Sequence, residues 1–307
     1  MTEDVHVTVL LAEAIESLVT AQDGVYIDGT FGRGGHARKL LSVLGESGRV
    51  YGVDKDPRAI TAAQELERID ARFISVHDSF ANMRKALESR EGKVDGVLLD
   101  LGVSSPQLDV AERGFSFMKD GPLDMRMDTS KGITAKEWLE KTREKDMLRA
   151  FRMYGEEKFS KRIAAAIVAA RNEGELSTTA QLASLIDEAV PVKEDGKHPA
   201  TRVFQAIRIA INGELDDLRN FLESLDGFIK PGGRVVIISF HSLEDRMVKR
   251  FFKALATRSD LPKNLPLAEH EIERKLKIIG KAVKASKQEV ENNVRARSAV
   301  MRVVEFS

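Results

Sequence analysis

A glycine-rich turn directly after a short apolar segment constrains this chain most. Val25–His36 contains four glycines within seven residues, after the apolar stretch Val25–Asp28. Glycine adopts positive φ readily and lets backbone N–H groups approach a ligand closely. A strand, a glycine turn and then a helix at Ala37–Leu44 are typical of the nucleotide-cradling corner of a doubly wound α/β sheet. The sequence therefore predicts a cofactor site at this corner.

Three further strands are predicted in the first hundred residues, and they alternate with helices. They are Arg49–Asp54, Arg72–Val76 and Val94–Leu101. Their apolar residues are continuous rather than alternating, which favours a parallel sheet covered on both faces. The fold class predicted is α/β, a doubly wound sheet.

The alternation stops after the fourth strand. Residues 107–212 contain no strand pattern, and a polar link is predicted at Val192–His198. Helices are expected from apolar periodicity and from a capping box at Thr134–Glu137, over Glu156–Glu173, Thr178–Val190 and Pro199–Ile211. We predict an inserted all-α substrate-recognition domain over 107–212 and a sheet domain formed by 1–106 and 213–307. Ligands bind at the carboxyl edge of such a sheet, so the insertion is expected to cap the site.

The last hundred residues return to the sheet pattern. A helix at Glu214–Ile229, a turn at Lys230–Gly233 and a strand at Arg234–Phe240 are predicted, with loops at Leu261–Pro266 and Gly280–Asn293. The final stretch Ala299–Phe306 is expected to pair antiparallel with Lys275–Ile279. This closing pair is typical of class I methyltransferases, whereas an NAD-binding domain continues with another parallel βα unit.

Two residues beyond the glycine turn have positions suited to a nucleoside. Asp54 ends the second strand 19 residues after Gly35, where an acid accepts hydrogen bonds from ribose hydroxyls. Phe80 follows the third strand in a polar cluster that suits an adenine site. The alternatives are a helix cap for Asp54 and a core aromatic for Phe80.

The segment Asp100–Gln107, D-L-G-V-S-S-P-Q, ends the fourth strand. Methylases of exocyclic amino groups carry acceptors at this point, because these amines are poor nucleophiles until their N–H groups are held. Asp100, Ser104 and Ser105 are the candidate acceptors, and the alternative is a serine-rich turn. His241 ends the fifth strand and is a candidate to take the amine proton, or else a packing residue.

Composition excludes several chemistries. There are no cysteines, so disulfides, thiolate metal sites and a cysteine nucleophile are excluded. The six histidines show no metal-ligand spacing, so no metal is expected. Met1–His6 is acidic and no run is long enough for a membrane span, so we expect a cytoplasmic protein without membrane association.

The net charge is zero, but basic residues concentrate near the end of the chain. Arg274–Arg302 carries nine basic residues against two acids. A solvated face and a polyanion-binding surface both explain this excess. Arg295, Arg297 and Arg302 are the candidates for phosphate contacts.

Taken together, these segments resemble the RsmH (MraW) family of 16S rRNA cytosine N4-methyltransferases over nearly the whole chain. The motifs are H-V-T-V-L-L, D-G-T-F-G-R-G-G-H, D-L-G-V-S-S-P-Q-L-D, R-G-F-S-F, G-P-L-D-M-R-M-D, H-P-A-T-R-V-F-Q-A-I-R, S-F-H-S-L-E-D-R and R-A-R-S-A. The resemblance implies an S-adenosylmethionine (AdoMet)-dependent enzyme that methylates a cytidine in the P-site region of 16S rRNA within the small ribosomal subunit. The cofactor contacts that it implies fall on Gly34, Gly35, His36, Asp54, Phe80, Asp100 and Gln107.

This reading requires the target base to leave its stack, with the insertion and the basic C-terminal stretch holding the surrounding RNA. Two alternatives remain at this point. One is an RNA-binding ribosome assembly factor with an AdoMet fold, and the other is an NAD-type oxidoreductase. The sequence specifies no oligomeric state.

Overall fold

The computed structural model describes residues 8–174, 176–192, 194, 196, 198–257 and 275–307, with the backbone alone for 88–91. Predictions for Met1–His6 and Leu261–Pro266, and for three residues of the link at Val192–His198, lie outside the described residues. Within the described ranges, every helix is too short or too polar to span a bilayer.

The chain forms two compact units. The sheet unit consists of Met1–Gly102 and Asp216–Ser307, and the helical unit is Val103–Leu215. These divisions differ by a few residues from the predicted ones at 106/107 and 212/213. Ser104 caps a helix that starts at Ser105 in the helical unit, and an ion pair of 2.8 Å holds Glu214 to Arg208.

Helices and strands alternate along both segments of the sheet unit, while the helical unit contains helices and an isolated antiparallel bridge between Pro122 and Thr178. The strands are β1 (Val25–Asp28), β2 (Arg49–Asp54), β3 (Phe73–His77), β4 (Val94–Asp100), β5 (Ile229–Ser239), β6 (Leu276–Lys284) and β7 (Val300–Phe306). The helices are α1 (Leu11–Leu18), α2 (Gly35–Leu41), α3 (Pro57–Ile69), α4 (Met83–Glu91), α5 (Ser105–Asp109), α6 (Ala135–Lys141), α7 (Glu144–Tyr154), α8 (Ser160–Glu173), α9 (Thr179–Ala189), α10 (Ala200–Asn212), α11 (Glu214–Ser224), α12 (Ser242–Ala256) and α13 (Lys287–Asn292).

The sheet has the strand order β3-β2-β1-β4-β5-β7-β6. The first five strands of this order pair in parallel, and β7 is antiparallel to both β5 and β6. The predicted parallel sheet and its antiparallel C-terminal edge are therefore confirmed. The turn predicted at Lys230–Gly233 lies within β5, where the register with β4 shifts between Val94 and Gly96 and Gly232 takes a φ of 78°.

Both faces of the sheet are buried, as its continuous apolar strands predict. Leu98, Val236 and Ile238 pack with Leu18 of α1 and Leu40 of α2. Their immediate neighbours along the strands point the other way, because side chains alternate across a sheet. On that second face Leu99, Val235 and Ile237 pack with Phe221 of α11 and Phe252 of α12. These two layers fix the strand ends that carry the candidate site.

The helical unit has a separate core made by α6 to α10. Its largest buried side chains include Phe151, Ile163 and Phe204. The predicted capping box at Thr134 is present, and two others are formed by Ser104 with Gln107 and by Thr178 with Gln181.

Besides the turn at Lys230–Gly233, three predictions about local structure were incomplete or wrong. The helix predicted at Glu214–Ile229 ends at Ser224, and Ile229 is the first residue of β5. The helix α7 is present although no helix was predicted there. The loop predicted at Gly280–Asn293 instead contains the end of β6 and all of α13.

Candidate active site

The glycine turn between β1 and α2 has the backbone that its sequence predicts. Gly32 and Gly34 have φ values of 55° and 77°, a region that residues with a Cβ avoid. A Cβ on Gly34 would also lie 2.6 Å from the ring of Phe31. The other two glycines permit close packing, since a Cβ on Gly29 would overlap Leu99 and one on Gly35 would overlap the Thr8 hydroxyl.

Asp54 closes the turn from the end of β2. Its Oδ2 accepts the Gly32 N–H at 2.8 Å, and its Oδ1 accepts the Asp56 N–H at 2.8 Å. Burial raises the pKa of Asp54, and the two N–H donors act in the opposite direction. A carboxylate offers about four lone-pair positions, so this one retains capacity for a diol donor. Asp56, and not Asp54, caps α3.

Asp100, at the end of β4, lies beside the same turn. Its N–H donates to the Thr30 hydroxyl at 2.6 Å, and its Oδ2 is 3.8 Å from Nδ1 of His36. Its Oδ1 is buried and has no hydrogen-bond partner among the described residues. Burial, followed by the nearby Asp28 and Glu244 carboxylates, raises the pKa of Asp100 well above its ordinary value. A hydrogen-bond donor on a bound ligand would supply the partner that Oδ1 of Asp100 lacks.

Asp28 is a third acid at this edge and was not among the predicted site residues. It is 1% exposed, and its Oδ1 accepts the Thr30 N–H at 3.3 Å. Its Oδ2 is buried without a partner in the described part of the chain. Burial raises the pKa of Asp28 to about 7, and the negative charge of Asp54 adds to the effect. The sequence clue was an acid immediately before the first glycine of the turn.

The two histidines are held by neighbouring groups. The Nε2 of buried His36 lies 3.2 Å from the Val9 carbonyl, so this nitrogen is the donor. His241 caps α12, since its Nδ1 accepts the Glu244 N–H at 3.4 Å. The Glu244 Oε1 lies 3.1 Å from Nε2 of His241, and its Oε2 accepts the Phe240 N–H at 2.8 Å. Glu244, which is 3% exposed, is thus a buried acid that the sequence prediction missed.

Phe80 follows β3 in a short helical turn and is partly exposed. Its ring packs edge-on against Phe221, with centroids 6.0 Å apart. The neighbouring Ser79 hydroxyl donates to Asp217 at 2.8 Å, and Lys55 pairs with the same carboxylate at 3.0 Å. A half-buried ring fixed on one side retains a surface on which a base can stack.

Three of the predicted site residues belong to the helical unit. Ser104 caps α5, and the side-chain oxygen of Gln107 accepts the Ser104 N–H at 2.9 Å. Gln107 is buried, whereas Ser105 is partly exposed. Their assigned roles remain predictions.

The predicted phosphate contacts differ among themselves. The guanidinium of Arg302 is bidentate to Asp245, at 2.6 and 3.1 Å. Arg295 and Arg297 are exposed in the short turn at Val294–Ser298. Arg302 therefore forms an internal ion pair, and its side chain is less exposed than those of Arg295 and Arg297. Among the described residues, no group of three or more His, Cys, Asp or Glu side chains could hold a metal ion.

A model of the MraW methylase family matches residues 3–307. The chain belongs to this family. Ribosomal RNA small subunit methyltransferase H of Alteromonas mediterranea is 54% identical over 304 residues, covering 98% of this chain and 97% of the relative. The family is one of AdoMet-dependent methyltransferases, so the MraW methylase described here uses AdoMet.

The chain is also similar to two solved structures at low sequence identity. A proposed rRNA methylase from Clostridium thermocellum is 13% identical, with a TM-score of 0.45 and coverage of 98% of this chain and 99% of that one. Fibrillarin from Aeropyrum pernix, solved with AdoMet, is 11% identical, with a TM-score of 0.41 and coverage of 96% and 73%.

The residues around the glycine turn fit AdoMet by their chemistry. AdoMet has a ribose diol, an adenine, and two positive groups, the ammonium and the sulfonium. Asp54 offers lone pairs to a diol, and Asp28 has a buried Oδ2 without a described partner. A bound cation favours the charged forms of such acids and offsets the cost of their burial.

Proposed function

We propose that this MraW methylase transfers a methyl group to N4 of a cytidine in the P-site region of 16S rRNA. One observation carries the choice of an amine target. It is the buried Oδ1 of Asp100, which has no hydrogen-bond partner in the described ranges, at the end of β4. An exocyclic amine supplies the N–H that such an acceptor lacks. The close relative that is named as a small-subunit rRNA methyltransferase supports the RNA target.

The chain's own task is positioning. AdoMet, when bound, supplies an electrophilic methyl group on sulfur. In this proposal Asp54 accepts the ribose hydroxyls, and Phe80 stacks against the adenine. Asp100 accepts an N–H of the cytosine amine and so directs the nitrogen lone pair away from the ring, with Ser104 and Ser105 as further candidate acceptors. Orientation and preorganised acceptors supply most of the rate enhancement in such a site.

The proton lost by the methylated amine needs an acceptor. Asp100 is suited to this step because a raised pKa makes its carboxylate a stronger base than a solvated one. His241 is the second candidate, and its ring already contacts Glu244. Replacing Asp100 with Asn keeps an acceptor oxygen but removes the base, so the variant separates positioning from proton transfer.

The absence of cysteine supports N4 over C5 of the same base. Methylation at C5 of cytosine ordinarily requires a thiolate that adds to the ring. An exocyclic amine needs no covalent intermediate, which matches the residues available here.

The test combines labelled AdoMet with 16S rRNA and small subunits, followed by nucleoside analysis. We expect label in N4-methylcytidine at one position, and we expect Asp54→Ala to weaken AdoMet binding at least tenfold through the lost charge-assisted hydrogen bonds. The proposal is refuted if wild-type protein binds AdoMet but leaves small-subunit rRNA unlabelled. AdoMet binding without transfer to any ribosomal particle would favour an assembly factor.

A further inference from the structure

The cations of the helical unit fall into two groups. Eleven of the sixteen described lysines and arginines of this unit lie within 4.0 Å of a carboxylate or donate to a backbone carbonyl. Arg171, for example, donates to the carbonyls of Leu139 and Thr142 at 2.9 and 2.7 Å. The other five have neither kind of partner among the described residues, and they are Lys145, Arg149, Arg152, Lys161 and Arg162.

These five residues, here called the α7–α8 cations, lie within eighteen residues of sequence. All five are exposed. Lys145, Arg149 and Arg152 are spaced by four and three residues along α7, so they share one helix face. Lys161 and Arg162 lie in the first turn of α8, which is reached after a short connection. The α7–α8 cations therefore concentrate positive charge within a short stretch of the chain.

Helix stability does not explain this arrangement. Positive side chains in the first turn oppose the helix dipole and therefore destabilise the helix. Lys161 and Arg162 occupy that position, and the helix has neither an acidic residue in its first turn nor a side-chain cap. The first acid of α8 is Glu173, its last residue. Residues that break a local rule without a structural return are expected at functional surfaces.

We propose that the α7–α8 cations bind the phosphate backbone of the RNA substrate. The inference rests on the proposed function and assigns a substrate-binding surface to the helical unit. Three of the five are arginines, whose planar guanidinium matches two phosphate oxygens at once. The surface reads no base, so its role is to add affinity and fix the orientation of the RNA.

An anionic membrane is the other polyanion to consider, and the apolar residues argue against it. A helix that lies on a membrane exposes its apolar face. The apolar residues Met147, Ala150 and Phe151 of α7 are buried in the core of the helical unit. Met153 is the one large apolar residue of α7 that stands out as exposed, at 49%, and its sulfur lies 3.4 Å from Nε of Arg149. The surface is thus polar, as a phosphate-binding surface should be.

The test uses the full chain with Arg149→Gln, Arg152→Gln, Lys161→Gln and Arg162→Gln combined. Each lost phosphate contact reduces affinity about fourfold at 0.15 M salt and lowers the log–log salt slope by about 0.7. We therefore expect binding of 16S rRNA to weaken by about 10²-fold and the slope to fall by about 3. The KM for rRNA should rise in parallel, while kcat at saturating RNA and the Kd for AdoMet stay unchanged.

The matched control is Lys136→Gln with Lys141→Gln on α6 of the same unit. Both lysines are exposed and paired within their helix, with Glu140 at 4.0 Å and Glu137 at 3.6 Å. This control should leave RNA affinity and its salt slope within about twofold of wild type. Equal losses in both variants, or an unchanged slope in the quadruple variant, overturn the inference.

Two further outcomes separate this inference from the proposed function. Wild-type transfer to rRNA with an unchanged KM in the quadruple variant overturns the surface assignment alone. A wild-type protein that never labels rRNA overturns the proposed function itself. Vesicles of phosphatidylglycerol are the membrane probe, and tighter binding to them than to RNA, lost in the quadruple variant, would reassign the surface to lipid.

Discussion

The buried carboxyl of Asp28 should make the ligand-free protein progressively less stable as the pH rises from about 4 to about 7. The pKa of Asp28 is raised by burial from 3.8 to about 7 in the folded protein. Between these values the native state holds a proton that the unfolded state has lost, so stability falls with rising pH. The stabilising effect of the bound proton is complete below about pH 4 and is lost once the pH passes about 7.

The variant Asp28→Asn isolates this effect, because Asn resembles the protonated acid in size and does not titrate. Each pH unit between the two pKa values corresponds to about 1.4 kcal/mol. The free energy of unfolding of the variant minus that of wild type should therefore increase by roughly 2.5 kcal/mol from pH 5 to pH 7.5, then level off. Asp54 and Asp100 titrate in both proteins. Removing the Asp28 charge also removes its repulsion of the Asp100 carboxylate, so part of the difference reports that coupling.

Urea unfolding without AdoMet, repeated across this pH range, measures the difference. Hydrogen exchange in peptides covering β1 measures unfolding of the sheet unit. Fluorescence of the single tryptophan, Trp138, measures unfolding of the helical unit. Asp70→Asn is the control, because Arg72 lowers the pKa of Asp70 and the group is ionised in both states above pH 5. For the control, the free energy of unfolding relative to wild type should not change with pH. If this difference is also independent of pH for Asp28→Asn, the reasoning is refuted.

Two other substitutions test the geometry of the sheet unit. Gly34→Ala should destabilise the protein by roughly 1–3 kcal/mol and weaken AdoMet binding, because residue 34 has a φ of 77° and a Cβ there would meet Phe31. Thermal unfolding measures the first effect and calorimetry of AdoMet binding the second. A variant as stable as wild type would contradict the strain argument. Arg302→Gln should cost about 1–3 kcal/mol because it leaves the partly buried Asp245 carboxylate without its bidentate partner. If Arg302 instead acts mainly on RNA, its loss will raise the KM for rRNA and leave the melting temperature unchanged.

Local patterns were sufficient to predict the core of the sheet unit. The strand, turn and helix around Gly34 depend on neighbouring residues alone, and Asp54 was located by a spacing rule. The acid Asp28 was visible in the same pattern, but its importance comes from burial and from unpaired oxygens, which no spacing reveals.

Other features depend on partners far away in sequence. The loop predicted at Gly280–Asn293 is polar, yet β6 extends to Lys284 because β7 supplies its hydrogen bonds. Glu289 of α13 accepts the Leu10 N–H at 2.7 Å across 279 positions. The pairing of Arg302 with Asp245 is likewise invisible in sequence, and so is the difference between paired and unpaired cations in the helical unit.

Helix α7 was missed for another reason. Its buried residues Met147, Ala150 and Phe151 have helical spacing, but its N-cap is Arg143, whose side chain makes no capping hydrogen bond to the backbone of the first turn. Without a capping residue, the start of a short helix is difficult to predict from the sequence. Packing against α8 and α10 supplies the missing stability.

The strand order also has a consequence for how the chain is synthesised. β1 to β4 all lie within the first hundred residues and are contiguous in the sheet, whereas β5, the partner of β4, begins only at Ile229. A nascent chain therefore holds a finished four-strand parallel sheet whose β4 edge has no strand beside it while the whole helical unit is translated. Such an edge is a template for pairing with other chains. Fragments that stop before β5 should aggregate, and ribosomes stalled within α10 should expose the edge to chaperones.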